Sequence, residues 1–138
     1  MSNSVLDPLE IYKHGHLWVG LIEKSNEEYL EYFELDYETD EESVYCQFCD
    51  DIGLDYGYDE DFIIIHRLLP QSISIKEMLI KMQFLNNEEK SKVILRCEEL
   101  GIDKINTYVF YSEHDLNIDK ERTYNGLYYL GEFSAETI

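Results

Sequence analysis

Apolar residues run along this chain in two periods, one of two residues and one between three and four, and the switches between them mark its elements. The stretch "HLWVGLI" (His16–Ile22) is short, apolar and rich in β-formers, so it predicts a strand. The next stretch, "SNEEYLEYFEL", changes period. Ser25 with Glu28 three residues on forms a capping box, and Tyr29, Leu30, Tyr32 and Phe33 make one apolar side, predicting a helix to about Leu35. After the polar connection "DYETDEE", Ser43 can cap a second helix in which Tyr45, Phe48, Cys49 and Ile52 fall at i, i+3, i+4 and i+7. Gly53 then stands where a helix-ending glycine belongs.

The second half repeats this grammar. In "DEDFIIIHRLLP" the run Ile63-Ile64-Ile65 favours a strand, with a short helix after Asp59 as the alternative. Ser74 and Glu77 form another capping box ahead of Ile75, Met78, Leu79 and Met82. Asn86 or Asn87 opens a fourth helix with Val93, Ile94, Cys97 and Leu100 inward and Gly101 closing it. Two aromatic and β-branched runs, Ile105–Glu113 and Leu127–Phe133, predict strands separated by a loop long for a simple hairpin. The order β-α-α-(β)-α-α-β-β points to a single α+β domain over residues 1–138, an antiparallel or mixed sheet covered by about four helices on one side.

Charge changes this picture more than composition does. At 138 residues the chain can bury a core without staples, and its 14% aromatic content argues for a folded globule despite a net charge of −19. No apolar run approaches the ~20 residues that span a bilayer, and the N-terminus has no signal-peptide pattern, so a cytoplasmic location is expected. Three cysteines, an odd number, fit a reducing compartment. The segment Glu23–Asp61 holds sixteen Asp and Glu against one Lys, a net of −15, whereas the other 99 residues carry fourteen acids and ten bases, a net of −4. Such a surface repels nucleic acid and anionic membranes and attracts basic proteins.

Catalytic and metal chemistry find little support. The sequence holds no GxSxG, HExxH, P-loop, GxGxxG or EF-hand pattern, so no enzyme is expected and no cofactor. Cys46 and Cys49 have CxxC spacing. They read as mid-helix core residues beside carboxylates, with a metal site or a redox pair as the alternatives. His14, His16, His66 and His114 share no ligand spacing beyond the first pair, and no metal is expected.

The acidic, tyrosine-rich segment is what rises above background. Glu27 and Glu31 lie at i, i+4, and Glu28, Glu31 and Glu34 at spacings of three, each like-charge pair costing about 0.2–0.5 kcal/mol. Asp50 and Asp51 occupy a last turn, where the helix dipole prefers cations. A solvated face that keeps the protein soluble is the plain alternative. Repeated small penalties make more sense if a cationic partner removes them, and tyrosines supply rigid contact area. The expected partner-binding residues are Glu27, Glu31, Asp50, Asp51, Asp55, Tyr56, Tyr58, Asp59 and Asp61. Two basic partners compete: a toxic enzyme with a nucleic-acid substrate, or a DNA-binding protein for which this surface mimics the phosphate backbone.

Four groups stand in a suggestive order: Trp18, Val19 and Gly20 in a strand; Glu27, Glu28 and Tyr29 in a helix; Gln47, Phe48, Asp51 and Gly53 at a helix end; and Tyr58, Asp59, Asp61 and Phe62. In order and spacing they resemble the immunity protein 22 family, formerly a domain of unknown function, whose bacterial members are encoded beside polymorphic secreted toxins. The likeness is good from His16 to Leu69. It is only a general helix-then-strand pattern from Ser74 to Tyr111, and it does not include the arm 1–15 or "LYYLGEF". It implies an immunity protein that binds a cognate toxin without catalysis and protects the producing cell; it does not identify the toxin, and the expectation of a basic one, a nuclease, comes from the acidic face. It carries over no catalytic residue.

Overall fold

The computed structural model describes residues 14–35, 46–54, 58, 62–68, 71–112 and 116–135. Its main sheet has five antiparallel strands: β1 (His14–Gly20), β2 (Ile63–Arg67), β5 (Thr107–Tyr111), β6 (Thr123–Tyr124) and β7 (Leu127–Ser134), in the order β2-β5-β1-β7-β6. Two further strands, β3 (Ile73–Ser74) and β4 (Lys104–Ile105), pair with each other. The helices are α1 (Asn26–Glu31), α2 (Gln47–Asp51), α3 (Ile75–Lys81) and α4 (Asn87–Leu100). The domain is α+β. Within the ambiguous stretch "DEDFIIIHRLLP" residues 63–67 form the edge strand β2, and the loop after β5 contains β6.

Helices cover both faces of this sheet, not one. The reason is legible along β1, where every residue from Gly15 to Gly20 is buried. Successive strand side chains point to opposite faces. Leu17 and Val19 join Tyr108, Phe110, Met78 and Val93 in one core, while Trp18 joins Val109, Tyr111, Tyr29 and Phe48 in the other. A β-bulge opposite Leu17 and Trp18 lets β7 serve both: Tyr129 packs in the second core, and Leu130 and Phe133 in the first. Gly131 at the bulge has φ 128°, a conformation that L side chains rarely adopt.

The capping signals place three helix starts. Ser25, Ser74 and Asn86 accept hydrogen bonds from the third residue on, and Gly101 ends α4 in the left-handed conformation. Two expectations need correction. The first helix stops at Glu31 rather than about Leu35. The second begins at Gln47 with Cys46 as its N-cap, so Cys46 precedes the helix instead of lying in its middle, Cys49 lies within its first turn as the third of five residues, and Ser43 lies outside the described residues. Trp18 is fully buried. A Cβ at Gly20 would come within 3.0 Å of the Gly126 carbonyl oxygen, so this glycine makes room for the β6–β7 turn. No helix among the described residues is long and apolar enough to cross a membrane.

Candidate partner-binding face

Tyr29 fixes α1 to the sheet. Its ring is buried, and its hydroxyl is 2.7 Å from Thr107 Oγ1, whose own hydroxyl donates to the His66 carbonyl at 2.8 Å. Burial holds the Tyr29 phenol well above its ordinary range, so it remains a neutral hydrogen-bonding group. With Tyr29 and Phe33 inward, helical spacing turns Glu27 and Glu31 outward. Glu28, three residues after the cap, closes the capping box instead: its N–H donates to Ser25 Oγ at 3.2 Å, and Ser25 donates to its carboxylate at 3.1 Å.

Beside α1 lies an open groove of about 490 Å³. Leu30, Phe33, Tyr58 and Ile65 give it an apolar floor, and Glu27, Glu31 and Glu34 line it with carboxylates. Ile65 belongs to β2, so the groove spans the gap between the acidic helix and the sheet edge. Tyr58 forms a wall. Its hydroxyl donates to the Phe33 carbonyl at 2.6 Å, and its ring meets Phe48 and Tyr111 edge-on. An apolar trough with three acids suits a long cationic side chain, whose stem seeks apolar surface while its head seeks carboxylate.

The expected binding residues separate accordingly. Glu27, Glu31 and Tyr58 converge on the groove. Asp50 is exposed on α2. Asp51 is turned inward, its side chain 11% exposed: it accepts from Tyr32 Oη at 2.5 Å and Gln47 Nε2 at 2.9 Å, and pairs with the Arg122 guanidinium at 3.1 Å. Arg122 in turn lies over the Tyr124 ring, 4.7 Å from its centre. Burial, then the bond to Asp51, holds the Tyr32 phenol above its usual range. Asp51 therefore joins α2 to α1 and to the approach to β6. Asp55, Tyr56, Asp59 and Asp61 lie outside the described residues. Glu34, three residues from Glu31, also lines the groove and is not among the expected binding residues. Arg122 carried no signal at all, being 71 positions from the acid it meets.

Among the described residues no group of three or more His, Cys, Asp and Glu could hold a metal ion. His16 is buried with Nδ1 2.6 Å from the Tyr129 hydroxyl, and His66 stacks on Tyr108 with ring centres 5.1 Å apart.

A family model described as Immunity protein 22 matches residues 16–136, so the likeness extends beyond Leu69 through α3 and α4 to the C-terminal strand β7. No curated protein and no solved structure matches the chain.

Proposed function

The chain belongs to the Immunity protein 22 family, and from that premise we propose that it neutralises a cognate bacterial toxin by binding it through the face built on α1 and α2. The toxin is a basic protein, a nuclease in this reading, and inhibition is by occlusion in the cytoplasm of the producing cell. The observation that carries the proposal is the groove in which Glu27, Glu31 and Glu34 border the apolar floor of Leu30, Phe33, Tyr58 and Ile65. A lysine or arginine of the toxin enters it. Asp50 adds charge from α2, and Asp55, Tyr56, Asp59 and Asp61 extend the contact with Tyr56 as an aromatic anchor. Asp51 acts within this face by holding α2 against α1, since its oxygens already have Tyr32, Gln47 and Arg122 as partners.

Carboxylates of this kind accelerate encounter with a basic partner and then pair with it, so association should slow steeply as salt rises. The test is binding of the toxin encoded beside this gene to the wild type and to the Glu27→Lys/Glu31→Lys double variant. A large loss of affinity with an unchanged fold supports the face. Unchanged affinity in the variant and at high salt places the toxin elsewhere and leaves family membership untouched.

A further inference from the structure

The two cysteines that open α2 form a site of their own. Cys46 is the N-cap residue, with extended backbone at φ −149° and ψ 169°, and its sulfur accepts the Cys49 N–H at 3.3 Å. That capping bond draws the side chain of residue 46 over the first turn, so the two Sγ atoms sit 2.9 Å apart. A disulfide requires about 2.05 Å, a closing movement of about 0.9 Å. CxxC at a helix start is the arrangement in which one thiol tunes the other. Both side chains are buried, Cys46 at 7% exposure and Cys49 at 0%. Among the described residues no third donor converges on them, so a tetrahedral metal site is not assembled.

We propose that Cys46 and Cys49 are a peroxide-oxidisable dithiol that closes to an intramolecular disulfide across the first turn of α2. One sulfur, as thiolate, attacks the O–O bond of hydrogen peroxide. It becomes a sulfenic acid, and the departing hydroxide takes a proton to give water. The second thiol attacks the sulfenic sulfur, the S–S bond forms, and hydroxide leaves with the second thiol's proton as another water. Two thiols and one peroxide give one disulfide and two waters, the sulfurs losing the two electrons that the peroxide gains. Burial selects a small neutral oxidant over a bulky one.

The thiols are tuned for this step. The hydrogen bond from Cys46 lowers the Cys49 thiol below its ordinary range, and the same bond holds the Cys46 thiol far above it. Cys97 is an internal control: it is buried in the opposite core, and burial pushes its thiol up to about 11. The site also reports to the acidic face. Phe48, between the two cysteines, donates its N–H to the Tyr32 carbonyl at 3.1 Å, directly after α1.

The experiment treats the full chain with hydrogen peroxide across a pH series, traps remaining thiols in denaturant and maps them by mass spectrometry. The expected result is a mass loss of two hydrogens, a Cys46–Cys49 linkage reversed by dithiothreitol, and a fully trapped Cys97. Between pH 6 and pH 8 the rate should rise less steeply than the roughly hundredfold expected of an ordinary thiol near 9. In Cys46→Ser the linkage disappears while sulfenic acid accumulates at Cys49. Cys46 and Cys49 both recovered as free thiols, irreversible acids at either one without a linkage, or Cys97 oxidised ahead of them would each overturn the proposal. None of these readouts depends on a toxin.

Discussion

The two layers that cover the sheet solve one packing problem with different chemistry. The α3 and α4 layer is aliphatic, with Ile75, Met78, Leu79 and Val93 against the sheet, and its helices run 7 and 14 residues. Within those two helices five acids meet five bases. The α1 and α2 layer is aromatic, with Trp18, Tyr29, Phe33 and Phe48, and its helices run only 6 and 5 residues. Those two carry five acids and no base. Helices this short gain little from their own hydrogen bonds. Side-chain struts hold them instead: Tyr29 to Thr107, Tyr32 to Asp51, Tyr58 to the Phe33 carbonyl. One layer balances its charges. The other concentrates like charge on a scaffold of rings, which fits a surface whose electrostatics are completed by a partner.

Replacing a ring in the aromatic layer should produce the largest effect. Phe48 is fully buried and contacts Trp18, Tyr32, Phe33, Tyr58 and Tyr111, so Phe48→Ala should cost about 3–5 kcal/mol in denaturant unfolding. A cost under about 1 kcal/mol would mean the rings do not hold this layer. Next comes the strut. Asp51→Ala leaves the Tyr32 hydroxyl without its acceptor and should cost about 1–3 kcal/mol. Arg122→Ala should cost less, about 1 kcal/mol or below, because that side chain is 45% exposed and the ion pair is partly screened.

Charge reversal then separates the layers by function. Glu31→Lys should weaken toxin binding by about 1–2 kcal/mol, whereas Lys76→Glu on α3 should change it by less than about 0.5 kcal/mol, both read by calorimetry. Equal effects would erase the distinction. The smallest expected effect belongs to the balanced layer. Glu89 on α4 accepts the Ser134 N–H and pairs with Lys92, each at 2.7 Å. Burial alone would raise its carboxyl, but the Lys92 and Ser134 contacts outweigh that and hold it below the usual value. A folded-state pKa below the unfolded ~4.3 gives stability that is complete above that pH and is lost as pH falls through the folded value. Glu89→Gln should therefore remove part of the acid-side decline in urea midpoints measured between about pH 3 and 6.

Strands β1, β5 and β7 and most helix boundaries are legible because they are local, whereas β2 is only the favoured of two readings and the two-residue strands β3, β4 and β6 are not marked as separate elements. Ser25, Ser74, Asn86 and Gly101 announce helix ends through backbone bonds made within a few residues. Cys46 was misread because Ser43 is the stronger capping residue by type, and the sulfur's role follows only from where the helix begins. The two-sided sheet is present in "HLWVG", whose unbroken apolar run marks a strand buried on both faces, against the expectation of helices on one side only. What no local reading supplies is pairing at a distance. Asp51 with Arg122, Tyr29 with Thr107, and Asn106, which bonds both the N–H and the carbonyl of Ile22, all depend on the sheet having formed. The acidic segment was plain in the sequence. Which of its carboxylates face a groove and which face an arginine was not.

Hydrogen exchange of the chain, alone and with its toxin bound, tests the central claim most directly. The account expects slowed exchange through residues 26–34 and 47–52, with residues 75–100 unchanged. Protection confined to residues 75–100, with α1 and α2 exchanging as in the free protein, would contradict it.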